Sequence, residues 1–233
     1  MSVIFFSSHQ ARAYKTESWR HMFSQWYVAK EQFTVNENNE NNENNENNEN
    51  NNKIIYDLSH FICKDLWNEY VIGKKFCLRE QWMMYLKALV FAKEEYKINN
   101  MKIAKQILDT NDPRVIKQLG RTVTGYNEET WNECKYKIVV NGNYLQFSQN
   151  KKMKEILLST DTREIVEASN KDNIWGIGFN EADAIKTDKS KWGSNLLGKA
   201  IMEVRDYIRK IHTVDTVFRL REVSKLTQTK VCK

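Results

Sequence analysis

The chain has 233 residues, enough for one domain with a sizeable core, and lacks the run of about 18 apolar residues that a membrane span needs. Its formal net charge is +6, and its first residues carry neither a charged leader nor a long apolar stretch, so we predict no signal peptide. Four cysteines at irregular spacings, with no C-x-x-C pair, indicate free thiols in a reducing, cytoplasmic compartment. The scattered histidines give no ligand spacing, so no metal site is predicted.

A low-complexity segment interrupts the first third of the chain. Residues 36–52 contain only Asn and Glu, including five glutamates. Such a segment cannot bury enough apolar surface to offset its ordering entropy, so we predict a disordered loop. Without these acids the chain has 36 basic against 25 acidic residues, a net charge of +11. About half of this excess lies in residues 209–233, a basic tail that we interpret as a solvated end in slight preference to a nucleic-acid contact.

Hydrophobic spacing predicts a helix-rich chain. The following segments are predicted as short strands or extended edges: 23–27, 53–56 and 164–168. The following are predicted as helices: 79–93, 101–108, 113–120, 127–147, 151–158 and, starting after Ser194 or Asn195, a last helix to about 211. Asp112 and Asn127 are the expected N-caps, and Gly120 the expected stop of a helix.

The pattern indicates a compact, single-domain α+β fold, with a small sheet made of segments far apart in sequence. We expect residues 23–208 to form the domain, between an N-terminal segment, 1–22, and the tail.

The most distinctive stretch runs from Asp172 to Arg205. It consists of D-N-I-W-G-I-G-F, a polar loop, and W-G-S-N-L-L-G-K-A-I-M-E-V-R. Glycine is used where a backbone turns with positive φ or approaches another segment closely. Two Trp-Gly pairs flanking a loop therefore indicate either a built pocket or tryptophans that anchor a core beside turns, and composition alone does not separate the two.

This stretch resembles the signature of the NADAR family, a group of small N-glycosidases. Shorter matches extend the resemblance over roughly residues 23–208: E-Q at 80–81, K-A at 87–88, L-G-R at 119–121, F-x-Q-N at 147–150 and V-E-A-S at 166–169. The resemblance implies hydrolysis of a bond between ribose phosphate and a nitrogen of a pyrimidine or purine. An acid would protonate the departing nitrogen and a carboxylate would stabilise the sugar cation, with neither metal nor cofactor.

Three residues are the candidates for catalysis. Glu80, taken alone, is typical of a surface acid that favours a helix N-terminus, but the resemblance implies a glutamate required for activity. Lys87 lies seven residues later, on the same helix face within about 20°, and is either a snorkelling lysine or a pocket nucleophile that forms a Schiff base. Asp172 is either a turn-starting residue or the second carboxylate. Which carboxylate is the acid stays open.

The remaining candidates surround a flat base and a phosphate. Three tryptophans could stack on the base, although each also suits a core: Trp131, Trp175 and Trp192. Arg121 and Lys199 are candidates for phosphate contacts. Asn195, at a helix N-terminus beside Gly193, suits a phosphate or a ribose hydroxyl held by free N–H groups.

The chain departs from the family pattern at two places, and the resemblance leaves two substrate classes open. Relatives usually carry a lysine where Gln146 stands, which implies a lost phosphate contact and a different substrate range, and the insertion lies near one edge of the pocket. Members of the family act on the first two riboflavin-biosynthesis intermediates, which are phosphorylated ribosyl-base small molecules, or remove ADP-ribose from guanine in nucleic acid. The alternative from another class is a non-catalytic module that binds ADP-ribose or nucleic acid.

Overall fold

The computed structural model describes residues 3–7, 17–36 and 54–211. These residues form the following helices: α1 (Lys64–Tyr70), α2 (Arg79–Val90), α3 (Lys97–Leu108), α4 (Pro113–Arg121), α5 (Glu128–Gln149), α6 (Lys151–Ser159), α7 (Glu181–Ala184) and α8 (196–211). The strands are β1 (Val3–Phe6), β2 (Phe33–Thr34), β3 (Lys75–Phe76) and β4 (Glu164–Glu167), and two 3₁₀ turns span Ser18–Phe23 and Lys189–Lys191. The repeat from residue 37 and the tail from residue 212 lie outside the described residues.

Two small sheets join distant parts of the chain, as the α+β prediction requires. Strand β1 runs parallel to β4, in a register from Val3↔Glu164 to Phe6↔Glu167, and β2 runs antiparallel to β3. Parallel strands need a long crossover, and here the crossover contains most of the helices. Residues 3–6 therefore belong to the packed body that we expected to begin at residue 23.

Helix α2 is the centre of the molecule. It packs against α3, α4 and α5, and every residue in it except Lys87 is buried. Its predicted apolar stripe is thus only part of a surface that is covered on all sides. The crossing with α5 is close because Gly142 lacks a side chain: a Cβ there would lie 2.5 Å from the Trp82 ring, whose Nε1 donates to the Ile138 carbonyl at 2.8 Å.

The predicted caps are confirmed, but one predicted stop is wrong. Asp112 Oδ1 accepts the Arg114 N–H at 2.8 Å, and Asn127 Oδ1 accepts the Thr130 N–H at 2.8 Å. Gly120 lies inside α4, which continues to Arg121. Its function there is close packing, because a Cβ would lie 2.1 Å from the Met84 sulfur on α2.

The strands predicted at 23–27 and 53–56 do not form in the described residues. Residues 24–26 instead make a turn around the N-terminus of α2, where the Gln25 carbonyl accepts the Glu80 N–H at 3.1 Å. Residue 53 is outside the described part, and Tyr56 is held by a side chain rather than by a strand. Asn141 accepts the Tyr56 N–H and donates to its carbonyl, both at 2.8 Å, so an amide side chain replaces a strand partner. No helix in the described parts of the chain combines the length and apolarity needed to cross a bilayer.

Candidate active site

The site is built around the N-terminus of α2, where Glu80 is buried and only 7% exposed. The Trp26 side chain donates a hydrogen bond to the Glu80 carboxyl. Burial raises the pKa of Glu80 from 4.5 to about 7, opposed by Lys117 and assisted by the negative charge of Asp172. The burial of Glu80 excludes the surface-acid interpretation, and its raised pKa allows it to hold a proton near neutral pH.

A second carboxyl group, on the half-buried Glu167, was not among the predicted catalytic residues. Glu167 ends strand β4, and its Oε2 atom is buried with no hydrogen-bond partner among the described residues. Burial raises its pKa from 4.5 to about 8, and the charges of Asp172 and Glu80 add to the shift. The signal in the sequence was an acid that ends an apolar strand within V-E-A-S, but it did not show the direction of the side chain.

One of the two alternative interpretations of Asp172, a turn-starting residue, is confirmed, and its role as the second catalytic carboxylate stays a prediction. Its Oδ1 atom accepts the N–H groups of Ile174 at 2.9 Å and Trp175 at 2.8 Å, so it starts a turn. The same residue is half-buried, and its charge raises the pKa of both Glu80 and Glu167. Three carboxyl groups are thus brought within electrostatic range of one another from three separate segments of the chain.

The glycines beside the tryptophans set this arrangement through close backbone packing. A Cβ on Gly176 would lie 2.8 Å from the Glu167 carbonyl oxygen and 2.9 Å from that of Asp172. A Cβ on Gly193 would lie 2.2 Å from the carbonyl oxygen of Asn173. Any other residue would force these segments apart, so the two Trp-Gly pairs build the turn that presents Asp172.

Two exposed cations on α4 flank the carboxyl cluster. Lys117 and Arg121 are one helical turn apart, and both lower the pKa of Glu80. Lys117 also lowers the pKa of Glu167, and its Nζ lies 5.9 Å from the centroid of Trp26. Arg121 was a predicted phosphate contact and Lys117 was not, although its place four residues before Arg121 could have indicated it.

Lys87 contacts a site next to the carboxyl cluster, formed by the end of α4 and two aromatic rings, and not the carboxyl groups themselves. Its Nζ donates to the Gly120 carbonyl at 2.9 Å and lies over the rings of Tyr126, at 4.5 Å, and Trp131, at 5.5 Å. Burial lowers the pKa of Lys87, and the positive charge of Arg121 adds to that effect. Arg121 therefore acts on both Glu80 and Lys87, and links the two parts of the site.

The three candidate tryptophans differ in environment. Trp131 is 8% exposed and belongs to the main core beneath Lys87, whereas Trp175 is half-buried against that core. Trp192 packs edge-on against Phe5 at 5.9 Å in a smaller cluster. Tyr126, which sequence reasoning missed, is 47% exposed and offers a more open ring beside Lys87 than Trp131 does.

The N-terminus of α8 is closed by the protein's own backbone. The N–H groups of Asn195, Leu196 and Leu197 donate to carbonyls in the 174–176 turn at 3.0–3.1 Å. We had expected free N–H groups at this helix end, but these three donors are already bonded and are not free for a phosphate. Lys199, the other predicted phosphate contact, is exposed on α8 and is not among the cations that act on the pKa values of Glu80 and Glu167. Those cations are Lys117, Arg121 and Arg79.

Arg79 lies buried beneath the cluster. Its guanidinium donates to Asn143 Oδ1 at 2.7 Å and to the carbonyls of Met22 and Ser24 at 2.6 and 2.8 Å. Burial lowers its pKa to about 9, while the charges of Tyr27 and Glu167 oppose that shift. In the described part of the chain no group of three His, Cys, Asp or Glu residues is arranged to hold a metal ion.

Comparison with known proteins gives a consistent set of matches. Residues 6–209 match the model of the NADAR domain. The chain is 41% identical over 142 residues to an N-glycosidase of Acanthamoeba polyphaga mimivirus, which covers 59% of this chain and 79% of that protein. It is 37% identical over 135 residues to protein irg-1 of Caenorhabditis elegans, covering 57% and 60%. The NMR structure of the Escherichia coli protein YbiA has the same fold, with a TM-score of 0.55 at 18% identity over 91% of this chain and 89% of YbiA.

Proposed function

Because this chain belongs to the NADAR family, as its motifs predicted, we propose that it hydrolyses an N-glycosidic bond in a ribosyl phosphate compound. The observation that carries the proposal is the pairing of buried Glu80 with Asp172 at the N-terminus of α2. Two carboxyl groups in different environments are what cleavage through an oxocarbenium-like state requires.

In this proposal the two carboxyl groups have different roles, which their environments support. Glu80 is buried and, with a pKa of about 7, carries a proton in about half of the molecules at pH 7, and this proton can pass to the departing nitrogen. Asp172 is half-exposed, and two backbone N–H groups donate to its Oδ1 and hold it in place, so in this proposal it serves as the carboxylate facing the sugar cation. Water then adds to the anomeric carbon as the carbon–nitrogen bond breaks. Its surplus proton passes to the carboxylates and restores Glu80.

The Schiff-base variant, with Lys87 as nucleophile, receives less support. Burial lowers the pKa of Lys87, which favours a nucleophilic amine, but its Nζ is bonded to Gly120 and enclosed by two rings. Borohydride reduction during turnover separates the routes, since only an imine is trapped as a stable adduct. Direct hydrolysis predicts no adduct in the parent protein, and an adduct that disappears in Lys87→Met would establish the covalent route.

We propose the first two riboflavin-biosynthesis intermediates as substrates, since the site joins a carboxyl pair to two exposed cations suited to one phosphate. Lys117 and Arg121 supply a point charge and a planar fork. A second candidate, ADP-ribose attached to guanine in nucleic acid, is favoured by the excess of basic residues, 36 against 25 once the Asn/Glu repeat is set aside.

The test is to incubate the purified protein with both substrate classes and to measure released base by chromatography. Release from the ribosyl phosphate pyrimidines alone supports the metabolite substrate, and release of guanine-bearing product supports the second candidate. Binding of ADP-ribose without release of base from any substrate would instead establish the non-catalytic module.

A further inference from the structure

Two glutamine side chains near the carboxyl cluster bury polar atoms that have no hydrogen-bond partner among the described residues. Gln146, on α5, is 1% exposed, and both its amide nitrogen and its amide oxygen are unpaired. Gln25 is partly exposed as a residue, but its amide nitrogen and oxygen are buried and unpaired in the same way. Burial of an unpaired amide is unfavourable, so a protein retains such a group where a ligand completes its bonds.

A third buried glutamine shows what a structural role looks like in this fold. Gln81, on α2, accepts the Cys77 N–H at 2.8 Å and donates to the carbonyls of Ile107 at 3.0 Å and Thr110 at 2.8 Å. Its amide is therefore fully used to join α2 to the end of α3. The amides of Gln25 and Gln146 are buried like that of Gln81, but they lack the hydrogen bonds that the Gln81 amide makes.

Both unpaired amides lie beside residues that reach the carboxyl cluster. On α5, Gln146 lies between two residues that contact Arg79. Asn143, three residues earlier, accepts a hydrogen bond from the Arg79 guanidinium, and the ring centroid of Phe147, the residue after Gln146, lies 4.9 Å from that guanidinium. Arg79 in turn acts on Glu167. Gln25 is flanked by Ser24, which bonds Arg79, and by Trp26, which bonds Glu80.

We propose that Gln25, Gln146 and Glu167 form an inner subsite that binds the hydroxyl on the sugar carbon next to the anomeric carbon. This inference rests on the proposed function, because that hydroxyl is the one nearest to a bond cleaved between Glu80 and Asp172. An amide both donates and accepts, and so does a hydroxyl, whereas a phosphate only accepts and would leave the amide oxygens of Gln25 and Gln146 without a donor. The phosphate is thereby directed to the exposed Lys117 and Arg121, and the substrate binds with its sugar inward.

The test measures binding without turnover, using ribose 5-phosphate and 2-deoxyribose 5-phosphate in calorimetric titrations. We expect the parent protein to bind the ribose compound about 10-fold more tightly, the usual worth of hydrogen bonds between one hydroxyl and a buried polar site. Gln146→Met and Gln25→Met should bind the two compounds alike and melt no lower than the parent, because each removes an unpaired amide. Gln81→Met, the matched control, should melt lower and keep the discrimination.

The inference is overturned if the parent does not distinguish the two sugars, if it binds neither, or if the two methionine variants still distinguish them. A lower melting temperature in Gln146→Met with full discrimination would show that the amide is structural. Base release by the parent is measured separately. Discrimination between the sugars without any base release would leave the subsite in place and remove the hydrolase function.

Discussion

The side chain of Asn195 holds the strand that carries Glu167. Asn195 Oδ1 accepts the Glu167 N–H at 3.0 Å, while its Nδ2 donates to the Ile165 carbonyl at 3.0 Å. The residue has a left-handed backbone, with φ +49°, where asparagine is tolerated better than most residues. Asn195 therefore positions a carboxyl group of the site and is not itself directed at a phosphate.

Replacing Asn195 separates its two contributions. Asn195→Gly keeps the left-handed backbone but leaves the backbone groups of Glu167 and Ile165 unpaired, which should cost about 2 kcal/mol of unfolding free energy. Asn195→Ala loses the same bonds and adds a backbone strain of about 1 kcal/mol. Chemical denaturation of both variants measures the difference. If both unfold at the parent's denaturant concentration, the amide bridge does not stabilise β4.

Removing the proton of Glu80 tests the mechanism directly. Glu80→Gln keeps an acceptor for the Trp26 side chain but cannot donate a proton as an acid, so turnover should fall by about 10²–10⁴-fold. The matched control is Glu129→Gln, because Glu129 is also the second residue of a helix but is exposed. That control should keep full turnover and lose at most about 1 kcal/mol through the helix dipole.

The measurement is base release, with a thermal melt of the same preparation. Undiminished base release from folded Glu80→Gln would exclude Glu80 as the acid and leave Glu167, the other carboxyl group of the cluster with a raised pKa, as the candidate.

The buried carboxyl groups also predict how stability depends on pH. The pKa values of Glu80 and Glu167 rise from 4.5 to about 7 and about 8 on folding, so the folded state binds more protons than the unfolded chain over this range. Their stabilisation is complete below pH 4.5 and is lost as pH rises through the folded values. Unfolding free energy from denaturant titrations should therefore fall between about pH 5 and pH 8.5.

The double variant Glu80→Gln/Glu167→Gln provides the control for that titration. Without the two carboxyl groups, the fall in stability across the same pH range should largely disappear. A parent protein whose unfolding free energy rises from mildly acidic to mildly basic pH would contradict the burial of both groups.

The Asn/Glu repeat should be dispensable, because the described residues on either side of it are held independently. Gln149 accepts the Thr34 N–H at 3.0 Å and donates to its carbonyl at 2.7 Å, and Asn141 bonds Tyr56 in the same manner. The two anchors are eight residues apart on α5, about 12 Å, which about four extended residues can span. Deleting residues 36–52 and joining Val35 to Lys53 through a short turn should leave base release and melting temperature unchanged. A deletion variant that unfolds would show that the repeat contributes to the fold.

Local signals explain which features could be predicted from the sequence. Asp112 and Asn127 cap helices through bonds to residues two or three positions away, and such bonds depend on the local chain alone. The strand at 164–168 was recognisable from its alternation, but its partner β1 lies about 160 residues earlier in the sequence. Periodicity likewise gave α2 an apolar stripe and could not show that three other helices cover its remaining faces.

The candidate site residues also divide into those with a local sequence signal and those that depend on contacts between distant segments. Glu80 and Asp172 were selected as candidates through family motifs, and the structure brings their charges within range of each other. Glu167 and Lys117 were not selected because their charges act on the cluster only once β4, α4 and α2 have come together in the fold. Asn195 was assigned to a phosphate because a helix N-terminus usually has free donors, and here the 174–176 turn occupies them.

The pairing of β1 with β4 has a consequence for biosynthesis. Val3 pairs with Glu164, so the first strand leaves the ribosome about 160 residues before its partner exists. At about 5–20 residues per second, this strand waits for roughly 10–30 s with an open edge. Among the described residues, the strand that ends in Glu167 pairs only with β1, a segment synthesised about 160 residues earlier. Translation products that stop before residue 164 consequently lack both the carboxyl group and the strand that would cover β1, which makes them targets for chaperones and proteases rather than partial enzymes.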